Sequence, residues 1–269
     1  MDGGTDAFNL GYFWAAALGI LQGATEFLPV SSSGHLALAE HLGLGREAPP
    51  AFDLLLHLAT LAVVGRYFRR DLARLLREGD FRPVLLVAIA SLPAAAAGLA
   101  FKGELTALRR SPAMICLGLL VTAGALAATE LARRNAAGLW RGLSRFEAFA
   151  IGLCQALALA PGVSRSGLTL SGALLCRTGR DEAFRFSFIM SIPIILGAAG
   201  LHFLEIMVRD GPGGLVRGVG IGPLAVGLAA AGLSGHFALS LLERLAGNGR
   251  LPWFAGYCGL AGTAGLLYF

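Results

Sequence analysis

Two interrupted apolar segments recur at a fixed offset, and that repetition limits what this chain can fold into more than anything else in it. The first runs from Gly19 through Gln22, Glu26, Pro29, Ser31, Ser32, Ser33 and Gly34 to His35. The second runs from Gly152 through Gln155, Pro161, Gly162, Ser164, Arg165 and Ser166 to Gly167. Gly19, Gln22, Ser33 and Gly34 fall on Gly152, Gln155, Ser166 and Gly167 at one offset of 133 residues, close to half of the 269-residue chain. In each copy a Pro/Gly/Ser-rich break holding polar or charged side chains cuts an apolar stretch. Paired interruptions in matching halves of a hydrophobic chain point to a site near the bilayer midplane.

Composition places the chain in a membrane. Its hydrophobic fraction is 55% and its charged fraction 14%, against roughly 25% charged in a soluble domain. The apolar runs reach the roughly 20 residues that a crossing needs, and they do not alternate with polar residues as barrel strands do. The first residues, Met1 to Asp6, are acidic, so no secretory signal is expected there. Cys116, Cys154, Cys176 and Cys258 sit in apolar surroundings without metal-like spacing and read as packing residues. The net charge of +5 comes mostly from loop arginines without interleaved aromatics, so no nucleic-acid partner is expected.

The expected fold is an all-α polytopic membrane protein forming a single membrane domain over residues 1–269. It has six transmembrane helices, at about 52–68, 83–101, 112–132, 185–205, 219–242 and 252–269. Shorter apolar pairs near 13–43 and 146–176 precede each set of three and suit two re-entrant helix pairs. With that arrangement, loops 66–82, 133–145, 177–185 and 243–250 share one side and hold most of the arginines. The other side holds Arg46, Lys102, Arg109, Arg110, Arg209 and Arg217. The positive-inside rule then puts the arginine-rich loops in the cytoplasm and both termini outside. Three crossings per half invert the second half, about 146–269, relative to the first, about 13–132. This is an inverted-topology repeat, with the two broken hairpins meeting mid-membrane.

Arg165 is the residue most in need of explanation, because an unpartnered arginine in the membrane centre costs about 2.5–3.5 kcal/mol or more. It reads either as an ion pair with Glu26 that braces the halves or as an anion clamp, its planar fork matching phosphate oxygens. Ser164, Ser166, Gly167 and the facing Ser31 to Ser33 would bring hydroxyls and amides to the same anion at helix N-termini. Gln22 and Glu26 share a helical face at i and i+4. Glu26 reads as a proton acceptor or as the one carboxylate that, with substrate phosphate oxygens, holds Mg²⁺. His35, close behind three hydroxyls, reads as nucleophile, general acid or metal ligand, and Ser32 as a nucleophile activated by His35 or Glu26. Thr169 reads as a hydrogen-bond donor to substrate. His41, His202 and His236 read as packing residues. Asp53 and His57 form an i, i+4 pair that suits an interfacial ion pair as well as a cavity wall, and they stay outside the expected core site.

The stretches Gln22-Gly-Ala-Thr-Glu26-Phe-Leu-Pro-Val-Ser-Ser-Ser-Gly-His35 and Pro161-Gly-Val-Ser-Arg165-Ser-Gly-Leu-Thr169 resemble the two motifs of the undecaprenyl-diphosphatase (bacitracin-resistance protein) family, in order and spacing. The resemblance implies a bacterial inner-membrane hydrolase acting on undecaprenyl diphosphate from the periplasmic side, with a divalent cation, Mg²⁺ or Ca²⁺. Its product, undecaprenyl phosphate, carries cell-wall precursors, and loss of the diphosphate confers bacitracin resistance. Implied catalytic residues are Glu26, which would also bind the metal, Ser32, His35 and Arg165. Gln22, Ser31, Ser33, Ser164, Ser166, Gly167 and Thr169 would hold substrate. Many family members carry glutamate where this chain has Gln22. Expected partners are the polyprenyl diphosphate lipid, membrane lipid and, in a homodimer, a second copy. The rival reading is a polyprenyl-phosphate flippase of the same architecture.

Overall fold

The structure, a computed structural model, describes residues 10–44, 48–77, 81–135, 142–211, 213 and 219–269. The acidic first residues and Arg46, Arg141 and Arg217 lie outside them. Every regular element among the described residues is a helix. The first broken segment forms α1 (Tyr12–Phe27) and α2 (Ser32–His41), and the second forms α8 (Arg145–Leu157) and α9 (Arg165–Leu175). Between and after them come α3 (Pro50–Tyr67), α4 (Arg69–Arg77), α5 (Arg82–Ala100), α6 (Lys102–Arg109) and α7 (Pro112–Asn135), then α10 (Arg180–Ile189), α11 (Ser191–Asp210), α12 (Ile221–Gly247) and α13 (Pro252–Tyr268).

Local chemistry sets these boundaries. Prolines in the first turn open α3, α5 and α13, where the missing amide would have no intrahelical partner anyway. A capping box opens α8: Ser144 accepts from the Glu147 amide, and the Glu147 carboxylate accepts from the Ser144 amide. Pro29 forces Leu28 into extended backbone and ends α1.

Four stretches are long and apolar enough to cross a membrane: Arg82–Ala100, Pro112–Thr129, Arg180–Asp210 and Ile221–Gly247. A fifth arises if Ala51–Tyr67 and Arg69–Leu75, bent by 71°, count as one span. The chain is therefore a polytopic helical membrane protein. The crossing expected at 185–205 is a longer, 31-residue stretch made of α10 and α11, and α13, at 17 residues, lies at an expected crossing but is not among the four. Neither short helix, α4 nor α6, is evident in the hydropathy. Large apolar side chains such as Leu92, Leu233 and Leu260 stand on the outside, each more than 60% exposed, as a lipid-facing surface requires.

Packing joins each broken segment to a helix distant in sequence. The α1 helix lies chiefly along α12, α8 chiefly along α5, and α7 along α13. Matching glycines allow the two hairpin contacts. A Cβ on Gly19 would stand 2.4 Å from the Gly227 carbonyl oxygen, and one on Gly152, at the same position in the repeat, 2.5 Å from that of Ala90. Such backbone approach is what small residues provide between membrane helices. Polar contacts gather at two ends of the bundle. At one, Arg185 pairs with Asp71, Tyr67 donates to Glu243 and Arg180 donates to the Gly247 carbonyl. At the other, Lys102 pairs with Glu205, and Arg109 reaches Glu40 and Asp53.

Candidate active site

The two breaks fold alike. Ser31 caps α2 by accepting from the Gly34 amide at 3.2 Å, and Ser164 caps α9 by accepting from the Gly167 amide at 3.1 Å. Ser31 holds φ 72°, a left-handed conformation unusual for serine, and its carbonyl accepts from His35 Nδ1 at 2.8 Å. The second break turns at Gly162, φ 82°, where a Cβ would stand 1.9 Å from the Ile115 carbonyl oxygen on α7. Thr122 of α7 fixes this break further, its Oγ1 accepting from the Ser164 amide at 2.8 Å.

The breaks meet at one carboxylate. Glu26 Oε1 accepts from Arg165 Nη2 at 2.6 Å, while Oε2 accepts from Ser32 Oγ at 2.7 Å and from Gln22 Nε2 at 3.1 Å. Ser32 and Arg165 are the first residues of α2 and α9 and occupy matching places in the repeat. One acidic group thus joins both tips, and charge-assisted contacts of this length are the strong ones. The Nη1 of Arg165 is buried without a partner among the described residues.

A cavity of about 260 Å³ opens beside this pair. Glu26, Ser31, Ser32, Ser33, Ser164 and Arg165 line it, together with Asp53, His57, Gln155 and His202 and an apolar wall that includes Leu54, Leu159, Ile194 and Ile195. The cavity unites hydroxyls, a guanidinium and a carboxylate with apolar walls, which suits a phosphorylated lipid.

Other expected site residues stand behind this wall. Gln22 is fully buried and serves Glu26. Ser166 bonds Ser164 and the Leu28 carbonyl, and Thr169 bonds the Arg165 carbonyl and Ser187. The amides of Gly34 and Gly167 are taken by the capping serines, so they are not offered to an anion. His35 faces α13 rather than the cavity: its Nδ1 donates to the Ser31 carbonyl, so Nε2 accepts from Tyr257 Oη at 2.7 Å.

Instead, the imidazole beside Glu26 in the cavity is His57, with Nε2 3.8 Å from Glu26 Oε2 and Nδ1 2.9 Å from the Asp53 carbonyl oxygen. Its i, i+4 spacing from Asp53 was the available signal. His202 also lines the cavity rather than simply packing, and the sequence around it carries no signal for that.

Residues 15–264 match the model of a family described as bacitracin resistance protein BacA. The chain is 36% identical over 251 residues to an undecaprenyl-diphosphatase of Carboxydothermus hydrogenoformans, covering 93% of this chain and 95% of the relative. It is 40% identical over 265 residues to an undecaprenyl-diphosphatase of Syntrophotalea carbinolica, covering 94% and 97%. One from Geobacter sulfurreducens is 40% identical over 268 residues, covering 94% and 97%.

Proposed function

Because the chain belongs to the bacitracin resistance protein BacA family, we infer that it is an undecaprenyl-diphosphatase, converting undecaprenyl diphosphate and water to undecaprenyl phosphate and inorganic phosphate. The observation that carries this reading is the Glu26–Arg165 pair closing a serine-lined cavity between the two breaks. The relatives are named for hydrolysis, and none of the names favours a flippase that leaves the diphosphate intact.

Arg165 binds the terminal phosphate through Nη1, its Nη2 remaining on Glu26. Ser32 is better placed than His35 to attack, because it lines the cavity and already donates to Glu26. Ser32 Oγ bonds the terminal phosphorus as its proton passes to Glu26 and the bridging P–O bond breaks. The electron pair leaves with undecaprenyl phosphate. Water then cleaves the phosphoserine, regenerating the hydroxyl and releasing phosphate. His35 keeps the strained Ser31 turn in place, and so aims Ser32.

A divalent cation fits only in part. Among the described residues no group of three or more His, Cys, Asp or Glu side chains is arranged to hold one. Mg²⁺ asks for one or two carboxylates when substrate phosphates supply further oxygens, and Glu26 meets that requirement. Bound there, the ion would neutralise phosphate charge.

The same reading takes residues 1–269 as one membrane domain with an inverted repeat, about 13–132 and 146–269, six crossings and two re-entrant pairs. The packing of α1 on α12 and α8 on α5, with glycines at matching places, supports it. The arginine-rich end is cytoplasmic, both termini lie outside, and the cavity opens to the periplasm of a bacterial inner membrane, with Arg109 beside Asp53 at its mouth.

The test is phosphate release from polyprenyl diphosphate by detergent-purified protein, with Mg²⁺ or Ca²⁺ and with chelator. Glu26→Gln and Arg165→Lys are each expected to lower kcat at least about 100-fold while the protein stays folded. Wild-type turnover in both would refute the site, and lipid translocation without phosphate release would refute the reaction.

A further inference from the structure

Two buried polar atoms on residues of the cavity wall have no hydrogen-bond partner among the described residues: Oε1 of Gln155 and Nη1 of Arg165. Gln155 is 1% exposed. Its Nε2 donates weakly to the Ala90 carbonyl of α5 at 3.5 Å. That carbonyl only accepts, so the amide nitrogen must face it and Oε1 must be the free end. Gln22, at the matching place in the first half, also has an unpartnered Oε1, but it commits its nitrogen to Glu26 and does not line the cavity. The two glutamines therefore have different tasks.

Leaving a buried donor and a buried acceptor unpaired is unfavourable, and native sites seldom do so without a ligand. An ionised phosphate oxygen satisfies Arg165 Nη1 but not Gln155 Oε1, because both oxygens are acceptors. A phosphate oxygen on Arg165 Nη1 together with a water on Gln155 Oε1 satisfies the two atoms. One hydrogen of that water goes to Gln155 Oε1 and the other to a phosphate oxygen held by Arg165, and a bridging contact of this kind is nearly as favourable as a direct one.

We propose that Gln155 is a positioning residue that holds a bridging water against the phosphate bound by Arg165. The proposal rests on the phosphatase reading for the identity of the anion. It gives α8, which otherwise packs chiefly on α5 and α9, a part in recognising the phosphate head.

The experiment compares wild type, Gln155→Met and Gln155→Glu as full-length protein in detergent. It reads inorganic phosphate affinity from the ligand-dependent rise in Tm, and kcat and KM for polyprenyl diphosphate. Gln155→Met is expected to weaken phosphate binding about 3- to 10-fold, the range of one neutral hydrogen bond, and to raise KM by a similar factor with kcat less affected. Its Tm without phosphate stays within about 2 °C of wild type, since only a long contact is lost. Gln155→Glu, placing a carboxylate near the anion, weakens phosphate at least about 10-fold and carries the comparison if the Met variant fails to fold. Phosphate affinity within twofold of wild type would overturn the proposal. So would a lowered Tm with unchanged KM, which assigns Gln155 to bracing α8 against α5. Absence of inorganic phosphate binding by the wild type would also overturn it. Binding without turnover would instead refute only the phosphatase reading.

Discussion

Replacing Glu26 alone should destabilise this protein more than replacing Glu26 and Arg165 together. The side chains are 7% and 15% exposed, and their contact is 2.6 Å. Removing one partner of a buried pair typically costs about 3–5 kcal/mol, while removing both for apolar groups is often close to neutral. The two single losses should differ. Glu26→Met strips Arg165 of the one side-chain acceptor it has among the described residues, so it belongs near 5 kcal/mol. Arg165→Met leaves the carboxylate with Gln22 and Ser32 still donating, so it belongs near 3 kcal/mol. At about 2–4 °C per kcal/mol, the first lowers Tm by about 10–20 °C and the second by about 6–12 °C. The double variant should lie above Glu26→Met. Thermal unfolding in detergent, followed by tryptophan fluorescence, measures all four proteins. Additive losses, within about 0.5 kcal/mol, would mean that the two tips are not held by this pair.

Three further outcomes follow from the geometry. Gly162→Ala forces a left-handed alanine against the Ile115 carbonyl and should cost at least about 2 kcal/mol, whereas Gly232→Ala, with nothing within 4 Å, should be neutral or slightly stabilising; melting temperatures decide. Thr122→Val leaves the buried Ser164 amide without its acceptor and should cost about 1–3 kcal/mol by the same measurement; no change would mean that this hydrogen bond does not brace the second break. For topology, cysteines placed at Arg74 and Arg244 should react with a membrane-impermeant maleimide only after the cytoplasmic face is opened, and one at Lys102 should react in intact cells. The reverse pattern would turn the molecule over.

Much of this was legible in the chain because the repeat is written in glycines and serines whose roles are local. Ser31 and Ser164 cap because a serine hydroxyl at the start of a helix accepts from the free amide three residues on. Glu26 and Arg165 meet because each is too expensive to leave alone in an apolar setting. The rest of the cavity wall was not legible. His57 and His202 lie on α3 and α11, which are apolar nearly all round and carry no stripe to tell which side faces inward. That choice is made by the packing of α3 against α11 and α12. Likewise His35 has the neighbours of a catalytic group, yet Tyr257, distant in sequence, turns its ring toward α13. The short helices α4 and α6 do not stand out as spans because, at 9 and 8 residues, they are short and polar and read as loop between apolar runs.

The packing of α1 on α12 and of α8 on α5 also dictates when the molecule can be completed. The glycine face of α1 packs on carbonyls of α12, so the first of the described helices is completed by one of the last. Neither half, synthesised alone, would possess both jaws. A chain cut within residues 136–141 should therefore yield two inert fragments that regain turnover when produced in the same cell.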